Sequence, residues 1–300
     1  MLDIGFDIGG TTVKAGALKN GRVVKKAVYP TPFGDPDALI ALIRSAAGEL
    51  CAGEPVAALG VTVPGSVSKD GGIIDAWNIG VRDLPLKTLL MGEVAAERYI
   101  VRNDADAAAV AELHAGALKG VKTGLMLTLG TGVGGSLILN GELFTGDLGR
   151  GTEPGHAMLD RGGIKCGCGH SGCIETLCSA TALKRLAEAA CQKGSGMIYL
   201  KHAEGAKVDA KLAIECALAG DETALDVFSE YTDALSDAIA SFVNVIDPEV
   251  IVIGGGVSGA GGFLLDILRE KVPPRTFFGS CGRIAAANAG NDAGLIGAVM

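Results

Sequence analysis

Between Glu153 and Glu175 the chain reads EPGHAMLDRGGIKCGCGHSGCIE, a stretch with too few apolar side chains to pack by itself. Cys166, Cys168 and Cys173 stand close together among glycines that let the backbone turn tightly, and His156 lies a short loop upstream. Three thiolates and one imidazole make a complete tetrahedral shell for zinc, and a closed shell suits a structural metal rather than a catalytic one. A Cys-x-Cys pair followed by a third Cys is not the spacing of the common zinc fingers. It fits a knuckle whose loop wraps one ion while the His reaches in from outside. The alternative, three buried cysteines in a glycine loop, fits poorly, because such loops rarely build an apolar core. Glu153 and Glu175 flank the cluster, so a metal that pins this loop also fixes two carboxylates in space.

Three hundred residues suffice for one large domain or two of ordinary size. The 46 glycines and an aromatic content of only 4% point to close backbone packing and many tight turns, as in an α/β protein. A net charge of −8 and a pI near 5.1 argue against a nucleic-acid surface, and no basic run appears. Mean hydropathy is +0.37, yet no apolar run is long enough to span a bilayer, so no membrane partner is expected. The start, MLDIGFDIGG, lacks the marks of a signal peptide and reads as a strand. Outside the knuckle, Cys51, Cys178, Cys191, Cys216 and Cys281 are scattered, which favours a reduced, cytoplasmic setting over disulfides.

The first strand has Ile4 and Phe6 on one face and Gly5 and Asp7 on the other, then turns through Gly9 and Gly10. Thr11 and Thr12 follow, and a second strand begins with Val13 and Ala15. Such a hairpin tip can hold a phosphate with backbone N–H groups and Thr hydroxyls. Asp7 can then hold Mg²⁺ through water and Lys14 can reach a phosphate oxygen; the plainer reading is a Gly-Gly hairpin. The same device returns at Gly130-Thr131-Gly132-Val133-Gly134-Gly135 between the strands 125–129 and 136–139. Because a strand and not a helix follows, the GTGVGG run is no dinucleotide fingerprint. Two such loops facing each other across a cleft would grip a nucleoside triphosphate from both sides.

Apolar spacing predicts a helix over 36–50, and 57–63 reads as a buried strand ending at Pro64-Gly65, where backbone can approach a ligand. Asn78, in a loop after Trp77, is a candidate contact for a sugar hydroxyl or a turn former. The strand 99–102 runs into Asn103-Asp104 and an Ala-rich helix over 105–118. That pair can simply cap the helix, but ligands of α/β folds bind at the carboxyl ends of strands. Asp104 is the candidate general base; Asp106 and Glu112 read as charges on the helix face. Helices are expected over 181–192 and much of 208–246, the last stopped at Asp247-Pro248. The strand 250–253 ends in Gly254-Gly255-Gly256, where adenine can lie on the backbone or the chain simply turns, and 291–300 reads as a terminal helix.

In this order the motifs resemble those of the ROK family (repressors, open reading frames and kinases), most of all its glucokinase-like sugar kinases, over nearly the whole chain. DIGGTTVKAG resembles the first phosphate loop, VRNDADAAAVAE the catalytic segment, and LGTGVGGSLILNGELFTG the second phosphate loop. EPGH and CGCGHSGCIE match E-x-G-H and C-x-C-G-x-x-G-C-x-E, the most specific of the family's signatures, and VNVIDPEVIVIGGGV is similar to the adenosine-side segment. The resemblance implies the actin-like, ribonuclease-H-like ATPase fold, with two α/β domains around a central cleft. The smaller would span 1–120, with the helix 290–300 packing back on it, and the larger 121–289 would carry the knuckle.

It further implies an ATP- and Mg²⁺-dependent enzyme of carbohydrate metabolism that phosphorylates the primary C6 hydroxyl of a hexose, glucose first. Asp104 would accept the hydroxyl proton, while Gly65, Asn78, Asn103, Glu153, His156 and Glu175 would contact the sugar. ATP would be held by Asp7, Gly9, Gly10, Thr11, Thr12 and Lys14, by Gly130, Thr131, Gly132 and Gly134, and by Gly254 to Gly256. His156 would serve both sugar and zinc, and a homodimer is expected. Such a division of labour suits phosphoryl transfer, which asks for positioning and charge neutralisation more than covalent catalysis. The chain departs from the family at Asp106, where Asn is common, and at Trp77, where Pro is common. Allose, fructose, mannose or an N-acetylhexosamine are therefore alternative acceptors. A non-catalytic, sugar-responsive regulator is the competing class; family repressors carry a helix-turn-helix before the first loop, and Asp7 lies almost at the start here.

Overall fold

Glycines at matching register give the first sheet its most consequential feature. In the computed structural model, which describes residues 1–147 and 151–300, the chain forms two compact units. One comprises Met1–Gly120, Glu142–Thr152 and Asn288–Met300; the other comprises Val121–Gly141 and Glu153–Ala287. The segment Glu142–Thr152, with its short strand Glu142–Leu143, thus clusters with the first unit, although the sequence reading drew the larger domain through it.

The first unit opens with β1 (Leu2–Ile8), β2 (Thr12–Lys19), β3 (Arg22–Pro30), α1 (Pro36–Cys51) and β4 (Val56–Val63). A small antiparallel sheet follows, of β5 (Ser66–Val67), β6 (Ile73–Ala76) and β7 (Val81–Leu84). Then come α2 (Leu86–Glu93), β8 (Arg98–Asn103) and α3 (Asp104–Ala115). The main sheet has the order β3-β2-β1-β4-β8; β1 and β2 are antiparallel, and β1, β4 and β8 run parallel. On one face α1 buries Leu39, Ile43, Ala46, Ala47 and Leu50 against Ile4, Phe6, Val13 and Val61. Asp35 starts that helix by accepting the N–H of Ala38 at 3.0 Å, with Pro36 at the first position.

The other face is closed by the terminal helix, Ala293–Val299. Gly5 pairs in register with Gly16 on one side and Gly60 on the other, so three strands present no side chain along one row. A Cβ at Gly5 would lie 2.6 Å from the Leu295 carbonyl oxygen, and one at Gly60 would lie 2.1 Å from that of Ala298. The helix therefore touches sheet backbone directly, and Gly297 meets α3 as closely, since a Cβ there would lie 1.8 Å from the Ala107 oxygen.

Asp106 and Glu112, read from sequence as helix-face charges, are both buried, because α3 is covered on the side where they project. Glu112 accepts the N–H groups of Ala117 at 2.6 Å, Asn288 at 2.5 Å and Ala289 at 2.6 Å. Its carboxylate ends α3 and anchors the strap that leads to the terminal helix. Glu112→Ala would remove the carboxylate to which all three amides donate. The variant is expected to lose about 3 kcal/mol or more of stability, measured as a lowered urea midpoint with unchanged slope. An unmoved midpoint would remove Glu112 from this role.

The second unit begins with β9 (Gly124–Leu129) and β10 (Val133–Leu139), whose chain continues into the strand Glu142–Leu143, β11. After the knuckle come α4 (Glu175–Cys178), α5 (Ala180–Gln192), α6 (Gly196–Ala203), α7 (Ala210–Leu218) and α8 (Glu222–Ile246). The chain finishes this unit with β12 (Val250–Gly254), α9 (Gly262–Lys271) and β13 (Arg283–Ala286); the terminal helix is α10. Here β9 pairs antiparallel with β10 and parallel with β12, and β12 pairs parallel with β13. This repeats the order and directions of β2-β1-β4-β8, so the glycine-turn device seen twice in sequence belongs to a duplicated sheet. That plan is the ribonuclease-H-like one the resemblance implied. Leu125, Leu127, Leu129, Ile251 and Ile253 build the core with α8, whose Tyr231 and Phe228 are buried. Among the described residues no helix is long and apolar enough to cross a membrane.

Candidate active site

In the first unit the turn between β1 and β2 is braced from behind. Gly9 N–H donates to the Thr12 carbonyl at 2.9 Å, and Thr31 Oγ1 donates to the Gly9 carbonyl at 2.6 Å. Gly10, Thr11 and Thr12 remain exposed at the tip. Asp7 Oδ1 accepts the Thr62 hydroxyl at 3.0 Å, and Oδ2 faces Lys14 Nζ at 3.4 Å. Lys14 is thus held by Asp7, with its side chain 45% exposed. Thr62, fully buried, was missed in the sequence, where a lone hydroxyl residue in the otherwise apolar strand 57–63 was the available signal.

Asn103 takes the helix-capping role that one of its readings gave it. Its Oδ1 caps α3, accepting the N–H of Ala105 at 2.8 Å and of Asp106 at 3.3 Å. Its Nδ2 donates to the Gly65 carbonyl at 3.0 Å, which ties the end of β8 to the turn after β4. Gly65 has no room for a side chain, since a Cβ would sit 2.2 Å from the Asp75 carbonyl oxygen. Asn78 is exposed in the 3-10 turn Trp77–Ile79, and its carbonyl oxygen would be 3.1 Å from a Cβ at Gly10. Trp77 is exposed too, with the Arg82 guanidinium 3.9 Å over its ring and Arg82 paired to Asp75 at 2.8 Å.

Asp104 is the first residue of α3 and lies at the carboxyl end of β8. The Asp104 side chain is exposed to solvent, yet protein atoms crowd closely around its carboxyl group. That burial, with the charges of Asp7 and Asp106, outweighs the N–H of Ala105 and pushes its pKa up to about 6. A carboxylate tuned upward in this way is a better proton acceptor near neutral pH than an ordinary aspartate. Asp106 packs against Gly151, where a Cβ would come within 3.1 Å of Oδ2.

In the second unit the loop between β9 and β10 is held by the segment after the knuckle. Ala180 N–H donates to the Gly130 carbonyl at 2.8 Å, and Thr181 Oγ1 donates to the Thr131 carbonyl at 2.7 Å. Val133 N–H donates to Glu175 Oε2 at 3.1 Å. The turn Pro154–His156 presses on β10, with a Cβ at Gly155 only 1.9 Å from the Val133 carbonyl oxygen. Glu153 and His156 are exposed at its two ends, and Gly134 lies half-buried on β10.

His156, Cys166, Cys168 and Cys173 bring one donor atom each within 4.8 Å of one another. The Cys168 and Cys173 sulfurs are 3.6 Å apart, and Cys166 Sγ lies 3.7 Å from His156 Nδ1. Zn–S bonds of about 2.3 Å at a tetrahedral angle place sulfurs roughly 3.8 Å apart, so the donor set fits the ion. Cys166 and Cys173 are buried and Cys168 is exposed, with the His170 ring 3.5 Å from its sulfur. The His170 backbone N–H, then its ring, push the Cys168 thiol down, whereas burial pushes Cys166 up. His170 is a nearby nitrogen donor that the sequence reading passed over.

A cavity of about 570 Å³ opens beside Thr131 in the same unit. Ala180, Ile214, Leu218 and Val257 give it apolar walls, with Lys184 and Lys211 among its polar lining. Of the glycine triplet only Gly256 lines it. Gly255, at φ +81°, instead packs on the Leu129 backbone, and Gly254 faces Met126 and Ala287. No short motif announces this cavity, because α5, α7 and the turn after β12 each supply one wall.

A sequence model described as "ROK family" matches residues 3–300. A glucokinase of Halalkalibacterium halodurans is 39% identical, covering 98% of this chain and 92% of its own length. A glucokinase of Thermotoga maritima is 34% identical, over 98% of this chain and 95% of its own. The crystal structure of a ROK family glucokinase from Streptomyces griseus in complex with glucose and AMPPNP aligns with a TM-score of 0.84 at 32% identity. The alignment covers 100% of this chain and 98% of that one.

Proposed function

This chain belongs to the ROK family, and from that premise we propose that it transfers the γ-phosphoryl group of ATP to the C6 hydroxyl of a hexose, glucose being the preferred acceptor. It is a ROK-type sugar kinase with the actin-like ATPase fold. The observation that carries the mechanism is Asp104, a carboxylate at the end of a parallel strand with a pKa raised to about 6. Deprotonated at neutral pH, it accepts the proton of the attacking hydroxyl as the oxygen–phosphorus bond forms.

On the acceptor side, Asn103, Gly65 and Asn78 are the first unit's proposed partners for sugar hydroxyls, and Glu153, His156 and Glu175 are the second unit's. A polyol needs several such partners, because a missing hydroxyl would leave buried polar groups unpaired. On the donor side, the exposed tip Gly10 to Thr12, braced by Gly9, is the first unit's phosphate loop, helped by Lys14, and Gly130 to Gly134 are the second unit's. The cavity beside Thr131 and Gly256 has the size and apolar walls for the nucleoside. Mg²⁺, held through water by Asp7, would neutralise phosphate charge. Zinc, held by His156, Cys166, Cys168 and Cys173, would orient the loop that carries His156 and Glu175 and take no part in bond changes. A homodimer in a cytoplasmic setting, as the family resemblance implies, belongs to the same proposal.

An ADP-release assay with Mg-ATP across glucose, mannose, fructose, allose and N-acetylhexosamines tests the reading. ADP formation that depends on a hexose, fastest with glucose, is expected. Equal ADP release with and without every sugar would refute it. The best turnover with another hexose would keep the kinase and move the acceptor, with Trp77 and Asp106 the first places to look.

A further inference from the structure

The end of the knuckle and the second glycine loop meet at one side chain. Glu175 opens α4, just past Cys173. Its Oε2 accepts the Val133 N–H at 3.1 Å, and its Oε1 lies 3.5 Å from Cys166 Sγ. One oxygen of the carboxylate therefore rests on the loop and the other on the knuckle. The fit at the loop is close, since a Cβ at residue 132 would come within 2.2 Å of Oε2, and only glycine leaves the carboxylate in place. The same segment adds the Ala180 N–H on Gly130 and the Thr181 hydroxyl on Thr131.

We propose that Glu175 is a positioning residue for the donor loop, holding residues 130–133 in the shape that receives phosphate whether or not sugar is bound. The proposal rests on reading that loop as a phosphate binder. Physically, a loop rich in glycine loses much conformational freedom when a ligand orders it, and an anchor in place beforehand lowers that cost. A hydrogen bond from a backbone amide to a carboxylate is among the stronger anchors available. A sugar hydroxyl that draws on the same carboxylate would bias the loop as well. Linkage then requires nucleotide and sugar each to alter the other's affinity by the same factor.

The test is binding of the fluorescent nucleotide mant-ADP with Mg²⁺, in the absence of sugar, to wild type, Glu175→Gln, Glu175→Ala and Gly132→Ala. Metal content and thermal midpoint are measured on each. Gln keeps an oxygen for the Val133 amide, whereas Ala does not. Glu175→Gln is expected to bind within about threefold of wild type and Glu175→Ala about tenfold more weakly, the order set by one charge-assisted bond. Gly132→Ala displaces the carboxylate without removing it and is expected to weaken binding by a similar factor.

Wild-type affinity in both Glu175→Ala and Gly132→Ala would overturn the proposal and leave Glu175 as a sugar contact alone. Equal losses in Glu175→Gln and Glu175→Ala would also overturn it, because the acceptor oxygen would then not matter. If Glu175→Ala sheds its metal, Gly132→Ala decides. Wild-type hexose turnover is scored apart: normal mant-ADP binding without turnover defeats the kinase reading and leaves this one standing. No mant-ADP binding by wild type defeats the loop proposal itself.

Discussion

Asp104→Asn is expected to lower kcat for hexose phosphorylation by about 10²- to 10⁴-fold, the usual share of a general base, while mant-ADP binding stays intact. Asparagine keeps the size and the oxygen that sits near the Ala105 N–H but cannot take a proton. The fold should not suffer, because the native charge is one its surroundings disfavour; the melting midpoint of the variant is expected to equal or exceed that of wild type. The same residue sets a pH dependence. Burial raises its pKa, so the active, deprotonated form is lost as pH falls through about 6. The kcat/KM of wild type should drop below that point and level off above it, and the residual activity of Asp104→Asn should lack this limb. A variant retaining wild-type kcat, or a wild-type profile flat between pH 5 and 7, would take Asp104 out of the proton transfer.

The second large effect is expected at the knuckle. Cys173 is buried, 1% exposed, and its sulfur stands 3.6 Å from that of Cys168. Cys173→Ser should abolish tight metal binding and with it the placement of His156 and Glu175. The expected outcome is less than one zinc per chain by elemental analysis and a melting midpoint lower by roughly 10 °C, with hexose kcat/KM down about 100-fold. Cys168→Ser should do less, because Cys168 is exposed and the His170 ring lies 3.5 Å from its sulfur as a substitute donor. Full metal and full activity in Cys173→Ser would show that the four donors do not form the site.

These effects trace to features that were unevenly legible in the sequence. The two glycine turns and the Cys-x-Cys knuckle were readable because each is local: a strand, a turn and a strand, or donors a few residues apart. The groove for α10 was not. Gly60 is far in the chain from Gly5 and Gly16, and the three align only through strand register, so no local window contains the pattern. Asp106 and Glu112 were misjudged for a related reason. A charge on a helix reads as a solvated face when one buried face is assumed, but α3 is enclosed on the side where these two project, and Glu112 finds three backbone amides there. Asn103 shows a different limit. Capping and ligand binding ask for the same residue type at the same place, and the structure assigns its oxygen to the cap. The cavity beside Thr131 was invisible because its lining comes from four separate stretches of chain. Glu175 was legible as a carboxylate near the metal, but its bond to Val133 was not, since it joins segments on opposite sides of the knuckle.

The most direct test of the central claim is the position of the transferred phosphate. Uniformly ¹³C-labelled glucose incubated with the protein and Mg-ATP, then followed by ¹³C NMR, reads that position through carbon–phosphorus coupling. The account calls for new coupling at C6 and its neighbour C5, with ADP formed in equal amount. ADP formed without any labelled phosphate ester, or coupling at C1 in place of C6, would contradict it.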